Sequence, residues 1–421
     1  PSGFWGYQHF PRLARQVFVG EKPWLGMTGR FQRMWGDFGG IKPVPALEYE
    51  CFRAQAMGGG CSVGDQMPPR GRLDAAAYRL IGEVYQQIEN AEPFYEGSTA
   101  EPRVAVLHPG HPTVPTEESD LSLEGVLLMC QESHYDTVVL NDEVEDLSGY
   151  EVVLLPDSVV VTERLRPVLR AHLEKGGRVI ASGKSGFSES GEFLFREHGL
   201  EPEGETFAYP TYWRARETFA KELSDSERVI YHAGMGFAAD EGWEILVDRV
   251  PPYFRRSDYR FCSHFQTPPE KTATAEGALL RKGDLVVFSD PVFLEYRRFG
   301  SVFLRDAFKR LLHDLIGEPS AGEGLPVSME IYPRGKGGKT LLTLLHYIPV
   351  RKALEIDVIE ERQPFGGHVL RLREPAVSVT DWESGEPLAK IDARHWHLPA
   401  KAGRLLLEVD SQGLSSSDGK V

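Results

Sequence analysis

Short apolar runs alternate with helical segments through the middle of this 421-residue chain. Residues 103–107 and 151–155 are apolar almost throughout and predict buried strands, and residues 121–133 predict a helix between them. Strands without a polar face are typical of parallel sheets that helices cover on both sides. Residues 98–320 are therefore predicted to form a doubly wound α/β domain, which is interrupted at 188–275 by a stretch rich in arginine and aromatic residues.

Composition and charge narrow the classes of function. At roughly 150 residues per domain the length predicts about three domains. A content of 41% hydrophobic and 26% charged residues is typical of a globular protein. The formal net charge of −15 disfavours binding to a phosphate backbone, so no nucleic-acid partner is expected. No apolar run approaches the roughly 20 residues of a membrane span, so no membrane partner is expected either.

The cysteines indicate the compartment. They are scattered through the chain without the spacing of metal ligands, and we expect all of them to be reduced residues inside the fold. Reduced cysteines predict a cytoplasmic protein. The residues are Cys51, Cys61, Cys130 and Cys262.

Three motifs for cofactors or metals are incomplete. The segment Ser-Gly-Lys-Ser at 182–185 follows a predicted strand, but a phosphate-binding loop needs a glycine where Arg178 stands. The glycine-rich run at 58–64 lacks the spacing of a dinucleotide fingerprint. His395 and His397 share one strand face, but no further ligand with metal spacing is nearby. We therefore expect no cofactor and no metal.

The first 97 residues have the pattern of the end of a larger fold. A helix is predicted at 46–57, a short strand at 61–63 and an amphipathic helix at 73–91. These are about two β-α units, which are too few to close a sheet, and a (β/α)₈ barrel needs roughly 250 residues. Because Pro1 replaces a start methionine and opens a glycine- and aromatic-rich loop, we expect further residues upstream.

The last part of the chain has a different periodicity. Apolar and polar residues alternate in several short segments of residues 325–411, and glycine or proline turns separate these segments. This pattern predicts a small antiparallel β-sandwich. Residues 412–421 are polar and are predicted to be a tail.

Aromatic and acidic side chains near the start of the chain are candidates for binding a sugar. Apolar faces of sugar rings stack on aromatic side chains, and ring hydroxyls need convergent carboxylates or amides. The alternative is an aromatic core with aspartates that face solvent. The predicted substrate-binding residues are Trp5, Tyr7, His9, Trp35, Asp37 and Asp65.

The same region resembles the closing part of the barrel of α-L-fucosidase-type glycosidases. The residues that carry the resemblance are Trp5-Gly6-Tyr7, Gly58-Gly59-Gly60, Gly71, Ile81-Gly82 and the segment 92–97. The resemblance implies that residues 1–97 are the C-terminal part of a catalytic (β/α)₈ barrel. The family's strand asparagine and following Gly-Pro fall on Gly64, Gln66 and Met67, so those sugar contacts are not carried over. We expect Asp65 and Gln66 to replace them, or the sugar to differ.

Residues 98–320 resemble the trimerisation domain of the β-galactosidases of glycoside hydrolase family 42. The resemblance rests on residues 104–107, 152–156, 176–177 and 289–296. It implies a flavodoxin- or amidotransferase-like fold without catalytic residues, and a homotrimer. The segment 341–351 is similar to the C-terminal β domain of bacterial proteins that join these modules.

Together these resemblances imply an exo-acting, retaining glycoside hydrolase that removes terminal sugars from oligosaccharides. Such enzymes use two carboxylates roughly 5–5.5 Å apart. In the fucosidase-type barrel both lie on earlier strands, so we expect the catalytic pair before Pro1. One alternative is a non-catalytic sugar-binding or oligomeric scaffold. Another is an amidotransferase-like enzyme, which would need Cys262 beside a histidine such as His264.

Overall fold

A computed structural model describes residues 6–17, 23–110, 115–206, 210–217, 219, 226–264 and 266–411. Trp5 and the predicted tail 412–421 lie outside the described residues. Contacts divide the chain into two compact units. Unit 1 comprises Pro1–Pro102, Cys130–Asp136 and Glu318–Val421, and unit 2 comprises Arg103–Met129 and Thr137–Gly317.

The elements follow one another along the chain in a mixed α/β order. The helices are α1 (His9–Val17), α2 (Val44–Ala56), α3 (Ala75–Tyr95), α4 (Glu117–Glu132), α5 (Leu165–Glu174), α6 (Val292–Phe299) and α7 (Val302–Ile316), with a 3₁₀ helix at Leu194–His198. The strands of the first two thirds are β1 (Leu25–Gly29), β2 (Gly60–Gly64), β3 (Val104–Leu107), β4 (Thr137–Leu140), β5 (Val152–Leu155), β6 (Arg178–Ser182), β7 (Leu200–Glu205), β8 (Thr211–Ala215), β9 (Arg228–Ile230), β10 (Met235–Ala239), β11 (Glu244–Val250), β12 (Gly277–Lys282) and β13 (Leu285–Phe288). The remaining strands are β14 (Met329–Lys336), β15 (Lys339–His346), β16 (Val350–Arg351), β17 (Asp357–Val358), β18 (Val369–Arg371), β19 (Ser378–Asp381), β20 (His395–His397) and β21 (Gly403–Asp410).

Unit 2 is built on a nine-stranded sheet in the order β4-β3-β5-β6-β13-β12-β11-β8-β9. The first five of these strands are parallel. Numbered along the chain, their order is 2-1-3-4-5, the order of flavodoxin-like sheets. The predicted mixed α/β fold with a large central sheet is confirmed, since apolar runs such as Val104–Leu107 are buried throughout.

The other half of this sheet differs from the predicted parallel arrangement. Strands β12, β11, β8 and β9 are antiparallel to their neighbours, so the aromatic- and arginine-rich stretch extends the sheet instead of interrupting it. Its unusual side chains are buried in pairs. Trp213 stacks on Phe288 at 5.9 Å, and Arg249 donates to Asp290 at 2.7 Å. Because partners neutralise these polar groups, strands that contain them fit inside the sheet.

Unit 1 combines the start and the end of the chain. Strands β1 and β2 pair in parallel, with Leu25 opposite Gly60, and α2 connects them. Strands β14, β15, β21 and β19 form an antiparallel sheet in that order, and β18 pairs with β20. One hydrophobic core contains residues of both segments, such as Leu47 and Phe52 of α2 and Leu345 of β15.

Helix α3 covers the same core. Its N-cap Asp74 accepts hydrogen bonds from the backbone N–H groups of Ala76 and Ala77, which satisfies donors that a helix start leaves unpaired. Leu80 and Val84 face the core, as the apolar periodicity predicts. The helices predicted at 46–57 and 73–91 and the strand at 61–63 are confirmed with small shifts of their ends.

Candidate functional site

The carboxyl ends of β1 and β2 carry a linked pair of loops. Arg30 directly follows β1, and its Nε atom donates to Asp65 Oδ1 at 2.8 Å in the loop after β2. The Arg30 backbone N–H also donates to the Gly64 carbonyl at 3.1 Å. Both charged side chains are at most 10% exposed. A buried, paired arginine and aspartate therefore fix the two loops to each other.

Trp35 lies across the end of β2. A Cβ atom on Gly64 would be 2.0 Å from Cη2 of the indole ring, so the ring occupies the space that any side chain at this position would need. Phe31 supports the ring edge to face, with 5.4 Å between ring centroids. The Trp35 side chain is nevertheless 57% exposed. It thus presents a supported aromatic face to solvent at the carboxyl end of two parallel strands.

The loop that carries Trp35 is also fixed at its far end. Lys42 Nζ donates to Glu50 Oε2 at 2.6 Å and to Thr28 Oγ1 at 2.9 Å. All three residues are buried: Thr28 lies on β1, Lys42 in the loop before α2, and Glu50 on α2. Buried charge pairs resist separation because a lone charge would remain unsolvated. The segment between Arg30 and Lys42 is therefore attached to the core at both ends.

The other predicted binding residues are spread over several environments. Asp37 lies in the Trp35 loop, where its carbonyl accepts from Arg30 Nη1 at 3.2 Å. Gln66 is exposed next to Asp65 and donates its backbone N–H to Asp65 Oδ1 at 2.7 Å. Trp35, Asp37, Asp65 and Gln66 thus lie on the two linked loops. Trp5 lies outside the described residues.

Tyr7 and His9 take different positions. Tyr7 is buried in the core of unit 1, with its ring edge to face against Tyr49 at 5.2 Å. Burial, and then the nearby Glu50 carboxylate, raises the pKa of the Tyr7 phenol well above its usual value. His9 begins α1 and contacts Arg12, with 3.0 Å between Nδ1 and Nη2. No described contact brings Tyr7 or His9 to the loops after β1 and β2.

One face of the β1–β2 pair is uncovered in the described residues. Leu25 is 70% and Met27 is 61% exposed, whereas the alternate residue Thr28 is buried. Within the described ranges no third strand pairs with β1 or β2. Parallel sheets are normally covered on both faces, and two strands alone are only marginally stable. This face therefore has the character of a sheet interior.

Sequence reasoning missed the residues that hold this site together. Arg30 and Lys42 stood in segments without a predicted element, and their partners Asp65 and Glu50 are 35 and 8 residues away in sequence. The available signal in the sequence was the segment Leu25–Gly29, in which the large apolar residues Leu25 and Met27 alternate with small ones and which forms β1. Chemically, the two loops offer an aromatic face beside carboxylate and amide groups, which suits a neutral polyhydroxylated ligand.

Unit 2 contains a separate cavity of about 240 Å³ at the carboxyl ends of β5, β6 and β13. Asp157, at its base, has a left-handed backbone with φ of 51° and accepts hydrogen bonds from Ser122 and Ser182, each at 2.6 Å. Burial raises the pKa of the Asp157 carboxyl group. His232, in the wall, is 2.5 Å from Glu295. The polar groups described here bond to the protein itself.

Two further candidates have structural contacts. Cys262 Sγ donates to the carbonyl oxygens of His264 and Gln266 at 3.3 and 3.5 Å, and does not line the described part of the cavity. His395 contacts Asp392, with Nδ1 2.8 Å from the carboxylate. In the residues that the structure describes, no three His, Cys, Asp or Glu side chains are arranged to hold a metal ion. The described helices include none long and apolar enough to cross a membrane.

The fold of the chain is glycoside hydrolase-like. This follows from solved structures that superpose on nearly the whole chain. No protein-family model and no curated protein sequence matches it.

The α-L-fucosidase isoenzyme 2 from Paenibacillus thiaminolyticus is similar over 98% of this chain, with a TM-score of 0.89 and 28% identity. The chain spans 64% of that enzyme, which is less than two thirds of its length. A β-galactosidase from Bacillus circulans sp. alkalophilus is similar over 95% of this chain and 58% of its own, with a TM-score of 0.65 and 14% identity. A catalytic mutant of a family 42 β-galactosidase from G. stearothermophilus has a TM-score of 0.67 and 14% identity over 97% of this chain and 57% of its own.

Proposed function

We propose that this chain belongs to an exo-acting, retaining glycoside hydrolase that removes terminal sugars from oligosaccharides, of the α-L-fucosidase or β-galactosidase kind. The observation that carries the proposal is the superposition on the fucosidase over 98% of the chain at 28% identity. The supported Trp35 face beside the Arg30–Asp65 pair adds a local argument, because terminal sugars stack on aromatic rings and bond to charged and amide groups.

In this proposal residues 1–97 are the C-terminal part of the catalytic barrel. Further barrel strands cover the exposed face formed by Leu25 and Met27 and supply the nucleophile and the general acid/base. Asp65 has a structural partner in Arg30, so the proposal assigns it to substrate positioning instead of nucleophilic attack. Residues 98–320 form the trimerisation-like domain of a homotrimer, and residues 325–411 form a C-terminal β-sandwich. We place the protein in the cytoplasm.

Trp35, Asp37, Asp65 and Gln66 contact the substrate from the carboxyl ends of β1 and β2, where (β/α)₈ barrels place their active sites. Trp35 stacks on the apolar face of the terminal sugar. Replacing Trp35 with alanine then weakens binding by about fivefold, since an aromatic contact contributes roughly 1 kcal/mol. The unfolding free energy changes little because the side chain is half exposed.

The experiment is a hydrolysis screen of nitrophenyl α-L-fucoside and β-D-galactoside with the full-length protein, together with calorimetric titration of the free sugars. Hydrolysis by wild-type protein, with a higher KM for Trp35→Ala, supports the proposal. Tyr253→Ala, which removes an exposed aromatic side chain in unit 2, is the matched control and leaves KM unchanged. Sugar binding without hydrolysis of any glycoside would favour the scaffold alternative.

A further inference from the structure

Two of the cysteines lie on neighbouring elements of unit 1. Cys51 is on α2 and is completely buried, and Cys61 is the second residue of β2 and is partly exposed. Cys51 belongs to the hydrophobic core of unit 1, and Cys61 packs against that core. Both are free thiols. The fold therefore brings two thiols to the interface between a helix and a strand.

The register of the strands places Cys61 on the face that α2 covers. Cys61 lies opposite Gly26 of β1, so the two residues point to the same face of the parallel pair. A Cβ atom on Gly26 would be 3.0 Å from the Cβ atom of Ala54 on α2. Helix α2 therefore passes close to the strands at the level of Cys61. Cys51 precedes Ala54 by three positions and so lies on the same face of the helix.

The two side chains contact each other across this interface. A hydrogen bond joins the thiol groups of Cys51 and Cys61. Cysteine side chains are short, so a contact between the sulfur atoms brings the two backbones close to the separation that a disulfide spans, about 4.4–6.8 Å between Cα atoms. Small movements of the side chains then suffice to bring the sulfur atoms to bonding distance.

The contact makes the two thiols chemically unequal. The hydrogen bond from Cys51 lowers the pKa of the Cys61 thiol, although burial and the Glu92 carboxylate oppose the shift. The same hydrogen bond, together with burial, raises the pKa of Cys51. Because the thiolate is the reactive form, the partly exposed Cys61 is the nucleophile and the buried Cys51 stays protonated beside it. Redox-sensing cysteines have this arrangement, in which a second thiol lies next to the reactive one.

We propose that Cys51 and Cys61 form a reversible redox pair, which a peroxide converts to a disulfide. The Cys61 thiolate attacks one peroxide oxygen and the O–O bond breaks, which leaves a sulfenic acid on Cys61 and releases hydroxide. This hydroxide takes up the proton that the Cys61 thiol had lost. The Cys51 sulfur then attacks the Cys61 sulfur, the S–O bond breaks, and the departing hydroxide leaves as water with the Cys51 proton. With hydrogen peroxide, two thiols and one peroxide give one disulfide and two waters.

Cys130 provides a contrast within the same unit. It is completely buried, and burial raises the pKa of its thiol well above the usual value. A small oxidant therefore reacts with Cys61 before it reacts with Cys130. The inference rests on these thiols alone and is independent of the sugar chemistry proposed for unit 1.

The test is a peptide map of the full chain after treatment of the folded protein with hydrogen peroxide. The peroxide is removed, the remaining thiols are alkylated under denaturing conditions, and the chain is cut with trypsin without reduction. Cleavage after Arg53 separates the two cysteines into the peptides 34–53 and 54–70. We expect a disulfide between these peptides, and we expect dithiothreitol to separate them. The Cys61 thiol is expected to disappear at least about tenfold faster than the Cys130 thiol.

Three serine variants separate the roles of the cysteines. Cys61→Ser removes the nucleophile and is expected to leave Cys51 reduced in peroxide. Cys51→Ser removes the second thiol, so oxidation is expected to stop at a sulfenic acid on Cys61, which dimedone traps. Cys262→Ser removes a thiol of unit 2 and is the matched control, in which the two peptides are expected to be linked as in wild type.

Two results on the wild-type protein would overturn the proposal. One is oxidation of Cys61 to a sulfinic acid while Cys51 remains a free thiol. The other is a Cys61 thiol that disappears no faster than that of Cys130. Neither result depends on the folding of a variant.

Discussion

Trp35 crosses Gly64 so closely that a methyl group on Gly64 would lie 2.0 Å from the indole Cη2 atom. Gly64→Ala is therefore expected to displace the ring, while the exposed side chain moves aside at small cost to stability. The measurement is tryptophan fluorescence together with sugar titration. We expect a shifted emission maximum and the same loss of affinity as Trp35→Ala, with no additional loss in the double variant.

Gly82→Ala is the matched control in the same unit. Gly82 is exposed within α3, and a Cβ atom there would meet nothing within 4 Å. Alanine at this position is expected to raise the unfolding free energy by about 0.5–1 kcal/mol without changing sugar affinity. Unchanged fluorescence and affinity in Gly64→Ala would contradict the close contact with Trp35.

Asp65→Asn tests the link between the two loops. The substitution leaves the buried Arg30 guanidinium without its carboxylate, so we expect a loss of about 3 kcal/mol in the unfolding free energy. Urea denaturation measures this loss. Asp357→Asn breaks a more exposed pair with Arg351 and is expected to cost less than about 1 kcal/mol. Equal small losses in both variants would show that the buried Arg30–Asp65 pair contributes no more to the unfolding free energy than an exposed pair.

His346 is expected to make the stability of unit 1 depend on pH. Burial lowers the pKa of this histidine below 6.5, although a hydrogen bond to the Pro364 carbonyl opposes the shift. Below about pH 6.5 the unfolded chain binds a proton that the folded chain resists, so stability falls as the pH drops. Unfolding between pH 7 and pH 5 is expected to show a flatter dependence for His346→Gln.

The exposed His397 provides the control for that measurement. His397→Gln is expected to keep the wild-type pH dependence, because this residue lies exposed on the surface. If His346→Gln also keeps the wild-type slope, protonation of His346 does not limit stability in acid.

Strands are predictable from the sequence where both of their faces are buried, because such strands are apolar throughout. The parallel strands of unit 2 are apolar on both faces, and runs such as Thr137–Leu140 were therefore visible in the sequence. Strands β8 and β11 mix tryptophan, arginine and acidic residues, and their fit depends on distant partners such as Asp290. Local periodicity does not contain such pairings, so these strands were missed.

In the candidate site, too, local sequence predicted some residues and tertiary contacts decided the others. Aromatic and acidic residues in glycine-rich loops pointed to Trp35 and Asp65 from the sequence alone. Which of the other candidates lie near these two residues depends on how the chain packs. Tyr7 is aromatic, like the side chains that stack on sugars, but its ring packs against Tyr49 in the core. Only tertiary packing distinguishes these two uses of an aromatic side chain.

The proposal that this chain is part of a retaining exo-glycosidase has one direct test. The direct measurement is hydrolysis of nitrophenyl α-L-fucoside and β-D-galactoside by the full-length protein, with the anomeric form of the released sugar followed by NMR. We predict release of nitrophenol from at least one of the two glycosides, with the anomeric configuration retained. Absence of hydrolysis of both, by a folded protein that contains the complete barrel, would contradict the account.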